Sequence, residues 1–197
     1  MYGAFTWLDR TILFWFNDLI KGSFVFKVIV YGLARFGIII FIFALVYLFF
    51  QRNPQDHNGF LGLGYHKNRQ IAFYALISLA LGFLIDELIS LIFPRPRPFV
   101  VYPDLIKHLN LTVDLTSFPS SHAIATFAMS ASVYFSGHRR LGAFLFVCAI
   151  LVSMARVAAG VHYPSDVLGG AILGVFCAAA VNSQKNWIRA HILKEKM

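Results

Sequence analysis

Charge is scarce in this sequence: only 13% of its 197 residues are charged, while 58% are hydrophobic and 16% are aromatic. So little polar surface cannot cover a water-soluble globule of this size, which excludes a soluble enzyme or binding domain. Acidic residues are the scarcer sign, with nine Asp and Glu against 17 Lys and Arg. No carboxylate-rich cluster of the kind that holds a hard metal ion is visible. Cysteine is almost missing: Cys148 and Cys177 both fall in apolar stretches, without a Cys-x-x-Cys partner or metal-ligand neighbours, and read as packing residues. The formal charge of +8 is not that of a nucleic-acid binder, because the basic residues cluster beside apolar runs instead of forming an aromatic-interleaved face. Internal repeats, low-complexity tracts and a separate soluble domain are also absent, so residues 1–197 read as one membrane-embedded domain.

What the chain does have is long apolar runs. Five meet the length of about 20 residues that a bilayer-spanning helix needs: roughly 24 to 50, 70 to 93, 120 to 136, 141 to 158 and 164 to 183. The expected fold is an all-α integral membrane bundle of five to six transmembrane helices. Residues 4 to 20 set Phe5, Leu8, Ile12, Trp15, Phe16 and Leu19 at helical spacing against Asp9, Arg10, Asn17 and Asp18. That pattern predicts an amphipathic helix in the interface over residues 1 to 23, with an imperfect sixth span as the alternative. It is too interrupted for a cleavable leader, and no small-residue cleavage site follows it.

Alternating the five spans puts Arg52, Lys67, Arg69, Arg139, Arg140, Lys185, Arg189, Lys194 and Lys196 on one face. Setting aside Arg95, Arg97 and Arg156, the other face keeps Arg10, Lys21, Lys27, Arg35 and Lys107. The first face is therefore expected to be cytoplasmic. The loop of residues 94 to 119 and the turn from Arg156 to Asp166 then face outward, and loops as long as the former are often functional.

Three segments meet at that outer surface: Pro94-Arg95-Pro96-Arg97-Pro98, Phe118-Pro119-Ser120-Ser121-His122, and Arg156-Val-Ala-Ala-Gly-Val-His162-Tyr-Pro-Ser-Asp166. Ionised side chains at a membrane surface are rare unless they work. Together the segments supply guanidiniums, two histidines, a carboxylate and a helix N-terminus, a set suited to a phosphorylated anion. Guanidinium forks match phosphate oxygens and keep their charge in a partly dry pocket. Pro164 favours a helix start, which puts Asp166 in the first turn, close enough to accept from one ring nitrogen of His162. The other nitrogen is then free to attack phosphorus. His122 has no carboxylate nearby in sequence and suits a general acid that later activates water.

These three segments resemble the signature motifs of the type 2 phosphatidic acid phosphatase superfamily. Phe93-Pro-Arg-Pro-Arg-Pro-Phe99 and Ser117-Phe-Pro-Ser-Ser-His122 look most like its bacitracin-resistance branch, the undecaprenyl pyrophosphate phosphatases. The resemblance covers residues 85 to 172 well and the rest by hydropathy alone. It implies a metal-independent, cofactor-free lipid phosphatase of a bacterial inner membrane, with the site facing the periplasm or exterior. It also implies phosphate binding by Arg97, Arg156, Ser120 and Ser121, with His162 as nucleophile, His122 as acid and base, and Asp166 as the partner of His162. Three positions depart from the pattern: Ser90 replaces a lysine, Ser121 a glycine and Ala155 a serine. Arg95 is the candidate to supply the charge missing at Ser90.

Undecaprenyl pyrophosphate is the substrate the resemblance favours. Alternatives with the same chemistry are phosphatidylglycerophosphate, phosphatidic acid and lipid A 1-phosphate. Beyond these stand a lipid phosphotransferase and a non-catalytic lipid-binding or transport protein. The plainer readings of the same residues are helix caps for Ser120, Ser121 and the His162–Asp166 pair, and headgroup anchors for the arginines. Asp86 and Glu87, about two turns below Pro94, read as an interhelical contact or as an ion pair orienting Arg97 or Arg156.

Overall fold

A computed structural model of the chain describes residues 5–51, 67–106, 109 and 116–195. Eight helices are present among them: α1 (Phe5–Gly22), α2 (Phe24–Phe36), α3 (Ile38–Phe50), α4 (Lys67–Ile92), α5 (Pro98–Val101), α6 (Ser121–Phe135), α7 (Arg139–Ala158) and α8 (Pro164–Glu195). The expected loop residues Lys107, His108, Asn110 and Asp114, and Arg52 and Lys196 of the charge count, lie outside the described residues.

α6 is the hub, packed against α4, α7 and α8. Its alanines at 123, 125, 128 and 131 are fully buried, so neighbouring backbones come close. α8 answers with glycine: a Cβ on Gly170 would lie 2.6 Å from the Ser120 carbonyl oxygen, and one on Gly174 would lie 2.5 Å from that of Ile124. Small residues four apart let two membrane helices approach this closely, and van der Waals packing then holds them where no hydrophobic force can. A core of Phe41, Leu48, Ile71, Met129, Val133, Leu145 and Val152 fills the space between α3, α4, α6 and α7.

Large apolar side chains point outward around the bundle, with Phe43 69%, Leu91 71% and Phe176 65% exposed. Such a belt requires lipid. α4, α7 and α8 are long and apolar enough to cross a bilayer, and α2 with α3 makes a fourth span if the bent pair is one crossing. The chain is a multi-pass membrane protein.

Two expectations need correction. The run 24 to 50 is not one straight helix but breaks at Gly37, bending by 46°. There a Cβ would meet Val152 Cγ2 at 2.4 Å, so glycine permits the contact with α7 that bends the chain. The expected span at 120 to 136 is a helix of 15 residues, which rises only about 22 Å against a hydrocarbon core of ~30 Å. α6 is enclosed by protein and need not match the thickness of the lipid.

α1 covers the stretch expected to form an amphipathic helix. Trp7, Leu8, Trp15 and Leu19 face outward, while Asp9, Leu13, Asn17 and Ile20 are buried. Asn17 Nδ2 donates to the carbonyl of Ala158 at 3.0 Å, tying α1 to the end of α7. Two polar residues of this helix, Asp9 and Asn17, therefore face protein, while Arg10, Asp18 and Lys21 are exposed.

Candidate active site

The arginine segment is held extended by its own prolines, which fix φ and disfavour helix in the preceding residue. It pairs with the segment before α6: Pro96 bridges Thr116, and Ser117 N–H donates to the Arg95 carbonyl at 2.7 Å. In extended chain, residues two apart point the same way. Arg95 and Arg97 accordingly both reach the turn between α7 and α8.

That turn is built by Gly160 and Pro164. Gly160 follows the end of α7 with φ 73, the left-handed value at which glycine stops helices, and Pro164 starts α8. Asp166 then reaches back to accept from the Tyr163 N–H at 2.7 Å, capping α8. Its Oδ2 also accepts a short hydrogen bond from Ser117 Oγ, and its Oδ1 accepts from Arg95 Nη1 at 2.6 Å. The Asp166 carbonyl takes the Ser120 N–H at 3.1 Å, fastening the start of α6 to the start of α8.

His162 is 2% exposed. Its Nδ1 lies 2.9 Å from the Ser117 carbonyl oxygen and 3.8 Å from Asp166 Oδ2. The expected direct hydrogen bond to Asp166 is therefore replaced by one to Ser117, which touches His162 through its carbonyl and Asp166 through its hydroxyl. An Nδ1–H donating to a carbonyl leaves Nε2 as the lone-pair nitrogen. Nε2 lies 3.0 Å from Arg97 Nη1, which also donates to the Val161 carbonyl at 2.9 Å. Burial pushes the His162 imidazole down to about 4, with Arg156 and Arg97 adding to the effect and Asp166 opposing it. The ring is neutral at neutral pH.

Arg156 is also buried, and its Nη1 donates to the Ala34 carbonyl at 3.2 Å. Its Nε and the hydroxyl of Ser120 are buried without a hydrogen-bond partner among the described residues. Orphaned donors at such depth are costly and mark where a ligand oxygen would sit. His122 and Ser121 occupy the first turn of α6, where backbone N–H groups have no partner within the helix. His122, His162, Arg97 and Arg156 lie close enough to feel one another's charge. One site thus gathers His162, Asp166, His122, Arg97, Arg156, Ser120 and Ser121.

Arg95 departs from its expected role. Nη1 binds Asp166 and Ser165, and Nη2 binds Asp9 at 2.7 Å. Its guanidinium lies 3.9 Å above the Tyr163 ring. Burial works against its charge, but Asp166 and Asp9 outweigh this and raise its pKa. A guanidinium engaged at both ends is a brace, not a free phosphate ligand. Ser90, at the usual lysine position, donates to the Phe118 carbonyl at 3.2 Å and supports the segment before α6. Asp86 is half-buried and Glu87 exposed. Sequence reasoning assigned no role to Ser117 or Ser165 and placed Asp9 on a polar face. An acidic residue among lipid-facing aromatics was the available signal for Asp9.

Comparison with known proteins follows the same segments. A family model described as the PAP2 superfamily matches residues 71–190. Bacitracin transport permease protein BcrC of Bacillus licheniformis is 29% identical over 178 residues, covering 90% of this chain and 81% of that protein. Undecaprenyl-diphosphatase BcrC of Bacillus subtilis is 35% identical over 114 residues, which are 57% of this chain and 56% of that protein. Against the latter the match spans little more than half its length. The crystal structure of Aquifex aeolicus LpxE shares the fold, with a TM-score of 0.66 at 23% identity over 88% of this chain and 94% of that one.

Proposed function

From the premise that the chain belongs to the PAP2 superfamily, we propose that it is a membrane phosphatase hydrolysing undecaprenyl pyrophosphate to undecaprenyl phosphate through a phosphohistidine on His162. The observation that carries the reading is His162 itself, buried and neutral, with Nδ1 tied to Ser117 and Nε2 directed at Arg97. A purely structural histidine has no need of two buried arginines and a second histidine beside it.

Arg97, Arg156, the Ser120 hydroxyl and the first-turn N–H groups at Ser121 bind the terminal phosphate. Arg97 moves from Nε2 to a phosphate oxygen as the substrate enters, which frees the lone pair. Nε2 attacks phosphorus and the bond to the bridging oxygen breaks, with His122 protonating undecaprenyl phosphate as it leaves. His122 then takes a proton from water, whose oxygen attacks the phosphohistidine and releases inorganic phosphate. Asp166 acts through Ser117 and by its charge, 3.8 Å from the ring, which stabilises the positive imidazole of the intermediate. The likeness to undecaprenyl-diphosphatase BcrC of Bacillus subtilis supports this substrate. The charge distribution supports a bacterial plasma membrane with the site facing outward.

The test is phosphate release from undecaprenyl pyrophosphate by detergent-purified protein in EDTA, with His162→Ala beside it. Turnover that persists in chelator and vanishes in the mutant is expected. A wild type inert on this and on other phosphorylated lipids would overturn the proposal.

A further inference from the structure

Asp9 is a buried carboxylate outside the phosphate-binding set. It is 3% exposed on a helix whose aromatic face looks outward, and burying an ion there is costly unless it is fully satisfied. Its partners, Arg95 and Ser165, both adjoin Asp166 of the site. Oδ1 accepts the Ser165 N–H at 2.9 Å, and Oδ2 accepts Ser165 Oγ at 2.6 Å and Arg95 Nη2 at 2.7 Å. The other arm of Arg95 donates to Asp166 Oδ1 at 2.6 Å, and Asp166 reaches His162 through Ser117. A continuous chain of hydrogen bonds runs from α1 to the imidazole.

We infer that Asp9 is a positioning residue for His162: by fixing both arms of Arg95 and the first turn of α8, it sets the placement of Asp166, making α1 part of the catalytic scaffold. The inference rests on the phosphatase reading above. Two features separate this role from simple anchoring of a helix. Arg95 bridges two carboxylates, so loss of Asp9 frees one arm of the fork and lets the guanidinium, with Asp166, rotate. The charge also changes, because Asp9, Asp166 and Arg95 carry a net negative charge beside the ring that becomes positive during the reaction, and without Asp9 that charge is cancelled. Asp9 touches no reacting atom, so substrate binding by Arg97 and Arg156 is left alone.

The experiment measures kcat and KM for undecaprenyl pyrophosphate in wild type, Asp9→Asn, Arg95→Gln and the double variant, with thermal unfolding in detergent followed on each. Asp9→Asn is expected to lower kcat about ten- to hundredfold, the usual cost of losing a residue that orients a reacting group, with KM within about twofold. The double variant is expected to be no worse than the more impaired single one, because both act through one link. Should Asp9→Asn fail to fold, Arg95→Lys carries the test. It keeps the charge but cannot span both carboxylates, and loss of kcat at constant KM supports the inference. Wild-type kcat in the folded variants, or losses that add and follow melting temperature, would overturn it. An inactive wild type would instead overturn the phosphatase reading.

Discussion

Gly170→Ala tests whether the contact between α6 and α8 sets the geometry of the site. The added methyl would lie 2.6 Å from the Ser120 carbonyl oxygen and 3.0 Å from the Ala123 Cβ, and the first of these is backbone that cannot rotate away. Reaching ordinary contact near 3.4 Å requires the helices to part by about 0.8 Å. Asp166 lies one turn before Gly170, and its carbonyl holds the Ser120 N–H at 3.1 Å. The same displacement therefore stretches the tie between the start of α6 and the start of α8. Overpacking of this kind costs about 1–3 kcal/mol, and a misplacement near 1 Å can cost on the order of a hundredfold in rate. Gly32→Ala is the control, because a Cβ there meets nothing within 4 Å. Thermal unfolding in detergent and phosphate release read the two effects. If Gly170→Ala matched wild type in both, the close approach would not be what positions the site.

Titration of His162 gives a second prediction. The fold lowers its pKa to about 4 from an ordinary 6.5, so the folded state favours the neutral ring. Its contribution to stability, roughly 3 kcal/mol at most, is complete above pH 6.5 and is lost as pH falls toward 4. Unfolding measured across that window should show a steeper acid loss in wild type than in His162→Gln, which keeps the loss due to buried His122, and equal slopes in both proteins would refute it. Arg156→Lys should lower kcat/KM about a hundredfold, the scale of losing one preorganised donor, because an ammonium cannot replace the Nε and Nη donors together. Retained kcat/KM in a phosphate-release assay would remove Arg156 from the site.

The spans at α4, α7 and α8 were legible because apolar runs of sufficient length bounded by Arg, Pro and Gly leave few alternatives. Gly37 hid its bend, because whether glycine breaks a helix depends on a partner, here Val152, that is distant in sequence. Hydropathy makes α6 look like a full span because it registers an apolar helix without showing whether lipid or protein surrounds it. At the site, the order of the three segments places His162, Asp166, His122, Arg97 and Arg156 in one neighbourhood, where the structure also has them. It could not assign partners: the imidazole chose the Ser117 carbonyl, and Arg95 chose Asp9. Both contacts join segments far apart in the chain, as do most that decide a side chain's role.

In the proposed mechanism, the contact between Arg97 and His162 Nε2 means that the reactive lone pair is covered by the group that later holds the substrate. A neutral headgroup, an alcohol or water offers Arg97 little in exchange for that hydrogen bond. A phosphate oxygen offers an anionic acceptor, and two such oxygens can take both arms of the guanidinium fork at once. Anionic charge thus serves as the key as well as the cargo, because the ligand that can be cleaved is also the ligand that uncovers the nucleophile.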